Sequence, residues 1–291
     1  MPELPELEIL RRSIRKRLVG RRITDVEVRK EPCVNLPPKK YRQAIAGATI
    51  ADCTRKGKLC LVHLDNGNTI VVHLALGGLF VRGKEDDFEP DDIQVLYRLD
   101  DGSDLVAAKL MLGNVHVHPT ATLQESDTRL AKMGRDALDD LPTVEEFEEI
   151  CTRSRTGAKA FLMDQGHICG LGNMYACEVL FEAGIHPQTE LRALKADDVR
   201  RLHDAIPAVL KAAIEGGGAT DTVWADLNGR EGRHQERLKV FGREGEPCPR
   251  CGARVKMIRL ATRATYYCPK CQRKRSVRKA RARRAKVARR R

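Results

Sequence analysis

The sequence predicts an α+β protein with several domains: an N-terminal helix with an antiparallel β-sandwich, an all-α region, and a C-terminal β-hairpin. Three observations support this prediction. Apolar residues recur at helical spacing near the N-terminus, short alternating segments separated by turn residues continue to about residue 124, and helical patterns return between residues 143 and 237. A chain of 291 residues has room for about two domains of roughly 150 residues each.

The first 20 residues predict a helix that begins almost at the chain end. Gly20 follows the helical pattern at a place where helices commonly end. The apolar stripe of this helix consists of Leu7, Ile9, Leu10, Ile14 and Leu18.

Strand signals dominate the next hundred residues. Residues 59–64 and 69–74 flank the turn sequence Asp65-Asn66-Gly67-Asn68, which is a strong hairpin signal. Apolar residues alternate in 95–99 before a second turn, and valines alternate with histidines in 115–118. Many short strands beside one helix are typical of an antiparallel sandwich or barrel.

The middle of the chain predicts helices. Thr143 and Glu146 form a capping-box pattern at the start of one of them. Three consecutive glycines at 216–218 interrupt the pattern and suggest a mobile loop. Further helical patterns cover residues 158–165, 173–183, 195–214 and 219–226.

These patterns predict five segments: an N-terminal domain of residues 1–124, a linker of 125–142, an all-α domain of 143–237, a cysteine-bearing hairpin of 238–272, and a basic disordered tail of 273–291.

The formal net charge of +13 is concentrated in the tail, where twelve of nineteen residues are Lys or Arg, which leaves about +1 for residues 1–272. A basic arm of this kind adds salt-sensitive affinity for nucleic acid phosphates. The alternative is a tail that only increases solubility.

No apolar stretch approaches the length of about 20 residues that a membrane helix needs, and the N-terminus lacks the pattern of a secretory signal. Six of the ten cysteines are scattered and predict buried free thiols in a reducing compartment: Cys33, Cys53, Cys60, Cys151, Cys169 and Cys177.

The other four cysteines form two C-x2-C pairs, Cys248 with Cys251 and Cys268 with Cys271, separated by sixteen residues. This spacing predicts a tetrahedral four-cysteine zinc site on a hairpin. Because four protein ligands close the coordination sphere, the zinc is expected to be structural. Two redox-active pairs are the alternative.

Pro2 follows the initiator Met1, so removal of Met1 would leave a secondary amine at the N-terminus. Such an amine can attack C1′ of a sugar and form an iminium ion directly. Glu3 and Glu6 are candidates for moving protons in that reaction. A processed terminus without function is the alternative.

Four motifs in the same order resemble the formamidopyrimidine-DNA glycosylase and endonuclease VIII family, and the resemblance is closer to formamidopyrimidine-DNA glycosylase. It covers about residues 1–272. The matching segments are Pro2-Glu-Leu-Pro-Glu-Leu-Glu8, the lysine Lys58 within 55–59, the helix–two-turns–helix signature in 159–178 with its continuation 183–187, and the zinc finger in 242–271 with Arg263 and Thr265.

The resemblance implies a bifunctional DNA glycosylase and abasic-site lyase of base-excision repair, with one structural zinc. Its implied partner is double-stranded DNA with a damaged base or abasic site. A monomer inside the cell is expected, in the cytoplasm and at the nucleoid or, in a eukaryote, in the nucleus. The implied catalytic residues are Pro2 as nucleophile, Glu3 as the acid that opens the sugar ring, Glu6 as a second carboxylate, and Lys58 and Arg263; the implied DNA contacts are Lys58, Lys159, Asn173 and Arg263.

The loops that fill the space of the flipped nucleotide in that family are atypical here. Leu76 stands where the family carries a wedging methionine. In residues 108–113 the arginine that reads the orphaned cytosine and the wedging phenylalanine are both missing. Met111 and Leu112 can still act as wedges, but they cannot form a bidentate hydrogen-bond pair with a base edge.

The altered loops leave two alternatives open: a glycosylase for oxidised pyrimidines or another lesion, and a protein that binds damaged DNA without excising it. A zinc-ribbon nucleic-acid protein unrelated to repair is a further alternative. The last leaves the N-terminal motif and Lys58 unexplained.

Overall fold

The computed structural model describes residues 1–220 and 223–275, and the rest of the basic tail, residues 276–291, lies outside the described residues. Its internal contacts divide the chain into two compact units. Unit 1 contains residues 1–133 and 212–237, and unit 2 contains residues 134–211 and those from 238 onward. The five segments expected from the sequence remain a prediction about where independently folding domains begin and end.

Unit 1 begins with helix α1 (Leu4–Arg17). Pro5 lies in its first turn, where the missing N–H costs no hydrogen bond. Arg15, Lys16 and Arg17 lie in its last turn, where positive charge is favourable next to the helix carboxyl end.

Two four-stranded antiparallel sheets follow. The first has the order β1-β6-β7-β5 and the second has the order β2-β3-β4-β8. The elements are β1 (Ile23–Val28), α2 (Pro38–Ile45), β2 (Ile50–Lys56), β3 (Leu59–Leu64), β4 (Asn68–His73), β5 (Leu79–Gly83), β6 (Ile93–Leu99), β7 (Asp104–Ala108), β8 (Asn114–Pro119) and the short α3 (Leu123–Ser126).

The core of unit 1 lies between the two sheets, which confirms the predicted sandwich. One buried cluster combines Val62 and Val72 of the second sheet with Val95 and Leu105 of the first. The apolar stripe of α1 packs into the same cluster, so the start of the chain is fixed to the sandwich.

Unit 2 contains β9 (Arg135–Asp136), α4 (Val144–Arg153), α5 (Ala158–Met163), β10 (Ile168–Cys169), α6 (Asn173–Ala183), α7 (Ala196–Glu215), whose last turn belongs to unit 1, and the hairpin of β11 (Lys256–Leu260) and β12 (Arg263–Tyr267). The predicted capping box of α4 is confirmed, since Thr143 Oγ1 accepts the N–H of Glu146 at 3.3 Å and Glu146 accepts the N–H of Thr143 at 2.9 Å.

The helix predicted at 219–226 is wrong for the described residues there. Ala219 forms a β-bridge with Arg233, and Ala225 forms one with Glu231. Gly217 and Gly218 have φ angles of 81° and 75° and turn the chain away from α7, so the segment folds back on itself as a loop.

The six scattered cysteines are buried free thiols, as predicted. No helix among the described residues is long and apolar enough to cross a membrane.

Candidate active site and DNA-contact residues

The N-terminal motif is buried at the start of α1. Pro2 is buried, Glu3 is 2% exposed and Glu6 is 0% exposed. Burying carboxylates is unfavourable unless they are hydrogen-bonded. The structure therefore groups all three predicted N-terminal site residues in one buried place.

The carboxylate of Glu6 is held by two backbone groups. Its Oε2 accepts the N–H of Glu3 at 2.8 Å, and its Oε1 accepts the N–H of Ala219 at 2.9 Å. Glu6 thus ties the first residues of the chain to the loop that follows α7. Sequence reasoning did not identify this link, because Ala219 lies 213 residues away.

The same loop packs closely against α1. A Cβ on Gly218 would lie 2.9 Å from the Trp224 ring and 3.1 Å from Ile9 of α1, and Gly218 has a φ angle of +75°. Only glycine satisfies both conditions. The loop position that supports Glu6 therefore depends on this glycine.

A buried ion pair joins α1 to the β2–β3 hairpin. Glu8 accepts from Arg55 Nε at 3.4 Å, and Arg55 Nη1 donates to the carbonyl of Gly57 at 3.1 Å. Burial raises the pKa of Glu8, but hydrogen bonds from arginines, Arg11 above all, outweigh it and lower that pKa to about 2. Glu8 therefore stays charged at neutral pH and holds the hairpin that carries Lys58.

Lys58 is half-buried in the turn of that hairpin, and His73 at the end of β4 lies within its electrostatic reach. Burial, with repulsion from Arg129 and Lys58, lowers the pKa of His73 to about 4. His73 is therefore a neutral imidazole at pH 7, with one N–H to donate. Sequence reasoning assigned it no role, although it begins the loop that carries Leu76.

The three most exposed large apolar side chains of the described residues lie on the atypical loops. Leu76 is 48% exposed, Met111 is 82% exposed and Leu112 is 68% exposed. Leu76 and Met111 line a cleft of about 1100 Å³ together with Val223. Leu110, by contrast, is 5% exposed and belongs to the core. These loops offer apolar wedges and no guanidinium.

In unit 2, Lys159 and Asn173 form one buried network. Lys159 is 2% exposed, and its Nζ donates to Asn173 Oδ1 and to Thr265 Oγ1, both at 2.6 Å. Asn173 Nδ2 in turn donates to the carbonyl of Ala264 at 3.0 Å. The ammonium of Lys159 thus joins the start of α6 to β12, and this geometry suits a supporting residue better than an exposed DNA contact.

Arg263 is exposed at the first position of β12. The preceding Ala261 and Thr262 have φ angles of 45° and 67°, which are uncommon for residues with side chains. This two-residue turn closes the hairpin tightly and leaves the guanidinium free to point outward.

The four cysteines of unit 2 form one cluster in which all four Sγ atoms lie within 4.8 Å of one another. Cys248 and Cys271 Sγ are 4.0 Å apart, and Cys251 and Cys268 Sγ are 3.5 Å apart. Four sulfurs around one zinc at about 2.3 Å lie about 3.8 Å from each other in a tetrahedron. The donor set fits one structural zinc, as predicted.

Comparisons with known proteins agree along most of the chain. Residues 1–110 match the formamidopyrimidine-DNA glycosylase N-terminal domain, residues 133–223 match the formamidopyrimidine-DNA glycosylase H2TH domain, and residues 245–273 match the zinc finger found in FPG and IleRS.

Similar full-length proteins are also found. The formamidopyrimidine-DNA glycosylase of Heliobacterium modesticaldum is 35% identical, over 94% of this chain and 100% of the relative. That of Symbiobacterium thermophilum is 38% identical, over 94% and 89%. The Lactococcus lactis Fpg in complex with DNA containing an abasic site has a TM-score of 0.86 and 31% identity, and the match covers 94% of this chain and 100% of that one.

Proposed function

This chain belongs to the formamidopyrimidine-DNA glycosylase family, and from that premise we propose that Pro2 is its nucleophile and Glu3 its principal acid and base. It is a DNA glycosylase of base-excision repair with abasic-site lyase activity. The observation that carries the assignment is the burial of Pro2 beside Glu3 and Glu6 at the amino end of α1.

The chemistry begins once Met1 is removed and the Pro2 nitrogen is a free secondary amine. The positive end of the α1 dipole disfavours protonation of that amine and so keeps its lone pair available. The nitrogen attacks C1′ of the damaged nucleotide and breaks the bond between C1′ and the base, and the base leaves with the proton that the Pro2 nitrogen loses on forming the new bond. Glu3 donates a proton to the ring oxygen, which opens the sugar and leaves an iminium ion.

The iminium ion makes the C2′ protons acidic. The Glu3 carboxylate formed by the first proton transfer can take one of them, and the electron pair expels the 3′ phosphate. Water then hydrolyses the iminium ion and releases Pro2.

Glu6 acts in this proposal by positioning. Both of its oxygens accept backbone N–H groups, so it holds the backbone of Glu3 and the 219 loop at fixed places beside the nucleophile.

Phosphate binding is assigned to residues of each unit. In unit 1, Lys58 and the neutral His73 supply donors, and in unit 2, Asn173 and Arg263 do so. Contacts of this kind position a duplex without reading its sequence. Lys159 supports Asn173 from within the protein.

Replacing Cys268 with serine is expected to release the zinc and unfold the hairpin of β11 and β12, because structural zinc sites contribute folding free energy. Arg263 would lose its fixed position, so affinity for duplex DNA should fall by about 10- to 100-fold, the worth of a charged hydrogen bond. Metal analysis and fluorescence anisotropy measure the two effects. Cys151→Ser, a buried cysteine of the same unit outside the cluster, should retain both zinc and affinity. If zinc-free Cys268→Ser bound duplex DNA as tightly as wild type, the role of the hairpin in DNA binding would be contradicted.

Strand cleavage at an abasic site is expected to depend little on the opposite base. The family's base-reading arginine is absent, and the side chains in its place are apolar. A bidentate hydrogen-bond pair distinguishes the right base from a wrong one by about 1–3 kcal/mol, or roughly 5- to 150-fold. Without such a pair, the single-turnover rates with C, T, A or G opposite the abasic site should lie within about tenfold of one another. Met111→Arg, at an exposed position, should widen that spread. A preference of wild type for cytosine above about 100-fold would contradict this view.

The same loops favour a second candidate substrate class, oxidised pyrimidines, since recognition of 8-oxoguanine paired with cytosine loses its base-reading partner.

Duplexes carrying 8-oxoguanine, a formamidopyrimidine, an oxidised pyrimidine or an abasic site, each trapped with borohydride, test the whole assignment. An adduct with the abasic duplex alone would restrict the function to lyase activity. No adduct with any duplex would overturn the enzymatic assignment.

We place the enzyme in the bacterial cytoplasm and nucleoid, since the relatives reported above are bacterial. A monomer stays the expectation. The expected contribution of residues 276–291 to DNA affinity falls outside the described residues and stays a prediction.

A further inference from the structure

A second group of metal-ligating side chains lies on unit 1, apart from the N-terminal motif and from the four cysteines. It consists of His116 and His118 of β8 and Asp127, just after α3. One ligand atom from each of the three lies within 4.8 Å of the other two. None of the roles assigned above uses these residues.

The strand pattern explains why the two histidines lie together. Val115 and Val117 of β8 enter the core between the sheets, so His116 and His118 project from the opposite face, since side chains alternate along a strand. Two imidazoles on one side of a strand, two residues apart, are close enough to share one ion.

Asp127 is brought to that face by apolar packing. Leu123 and Leu130, on either side of Asp127 in sequence, form a buried cluster with Leu61 and Val71 of the second sheet. The carboxylate is itself 2% exposed. The segment 123–130 therefore covers part of the outer face of the sheet and places the Asp127 carboxylate next to the two histidines.

The histidines are suited to bind a cation. His118 Nε2 is buried and has no hydrogen-bond partner among the described residues, and it lies 3.7 Å from Asp127 Oδ2. Imidazole nitrogens are common ligands of divalent transition metals.

Arg129 lies beside the carboxylate and opposes the binding of a cation by its positive charge. Its Nη2 donates to Asp127 Oδ2 at 2.6 Å, and its Nη1 donates to Asn114 Oδ1 at 2.6 Å. A carboxylate oxygen has two lone pairs, so Oδ2 retains one for an ion on the histidine side. Arg129 orients the Asp127 carboxylate, and its positive charge reduces the affinity of the three side chains for a cation.

We propose that His116, His118 and Asp127 bind one divalent transition-metal ion that clamps segment 123–130 to the second sheet. Two imidazole nitrogens and one carboxylate oxygen, with a position left for water, are a donor set for Zn²⁺ and related ions. Mg²⁺ prefers an all-oxygen environment and is not expected to bind.

Full-length protein with its four-cysteine site already loaded with zinc is titrated with Zn²⁺ by calorimetry, and bound zinc is counted after dialysis. We expect a second equivalent in wild type that Mg²⁺ does not displace. His118→Ala should weaken that second binding by more than about 100-fold, beyond the loss seen when only a supporting residue is removed. His167→Ala, at an exposed histidine of unit 2, should leave it unchanged.

Abasic-site cleavage by His118→Ala shows whether the variant is folded, and His116→Gln replaces it if it is not. A single zinc equivalent in wild type, or a second equivalent that survives loss of the histidine, would overturn the site. Neither result depends on the assignment of Pro2.

Discussion

Replacing Pro2 with glutamate is expected to abolish covalent capture of abasic DNA and reduce strand cleavage to the background rate. A large residue at position 2 prevents removal of Met1, so the chain would begin with methionine and residue 2 would present an amide nitrogen. An amide nitrogen has no available lone pair for attack on C1′. Borohydride trapping on an abasic duplex, followed by gel separation, measures the effect, and intact mass reports whether Met1 is retained.

Pro2→Gly is the matched control for that experiment. Glycine permits removal of Met1 and leaves a primary amine in the same place, so an adduct should still form, although more slowly because the secondary amine gives the iminium ion directly. Equal trapping by wild type and Pro2→Glu would show that another amine of the protein performs the attack.

Replacing Glu3 with glutamine is expected to lower the rate of base excision by about 10²- to 10⁴-fold, the usual contribution of a positioned acid or base. Glutamine has nearly the same shape but cannot donate a proton to the ring oxygen. Single-turnover excision from a duplex containing a formamidopyrimidine lesion measures this step. Affinity for the duplex should stay within a few-fold of wild type, because the substitution removes no phosphate contact.

Glu6→Gln separates chemistry from positioning. The glutamine amide can accept only one of the two backbone N–H groups that Glu6 now accepts, and the unsatisfied group costs about 1–3 kcal/mol. We therefore expect a lower melting temperature and a smaller loss of rate than in Glu3→Gln. If Glu6→Gln were the more damaging change for the chemical step at full stability, the roles of the two carboxylates would have to be exchanged.

The parts of the molecule that local patterns determine were predicted from the sequence. The apolar stripe of α1, the hairpin turn at 65–68 and the capping box at Thr143 each depend on residues within a few positions of one another. The zinc site is similar, because each C-x2-C pair is local and the two pairs need only a short hairpin to meet. The run of short alternating strands also predicted the sandwich. The scattered positions of the six other cysteines in apolar or mixed segments predicted buried free thiols.

The supporting contacts of the site could not be predicted, because they join distant parts of the chain. Glu6 meets Ala219 across 213 positions, Arg55 meets Glu8 across 47, and Lys159 meets Thr265 across 106. No local pattern distinguishes Lys159 from a solvent-exposed lysine. Its burial, and so its supporting role, depends on tertiary packing.

The error at 219–226 has a similar origin. Alanine, threonine and tryptophan there fit a helical pattern, but the N–H of Ala219 is taken by Glu6 and the hydroxyl of Thr220 donates to the carbonyl of Trp224 at 3.0 Å. One tertiary and one local side-chain hydrogen bond take the place of helical ones, and the tertiary bond to Glu6 places this loop beside α1.

The most direct test of the central claim is to locate the adduct. Wild-type protein is trapped with borohydride on an abasic duplex, digested with protease and nuclease, and the modified peptide is sequenced by mass spectrometry. The mass of the added sugar remnant should lie on an N-terminal peptide that begins with Pro2 and lacks Met1. An adduct on a lysine such as Lys58, or an active protein that retains Met1, would contradict the assignment of Pro2 as the nucleophile.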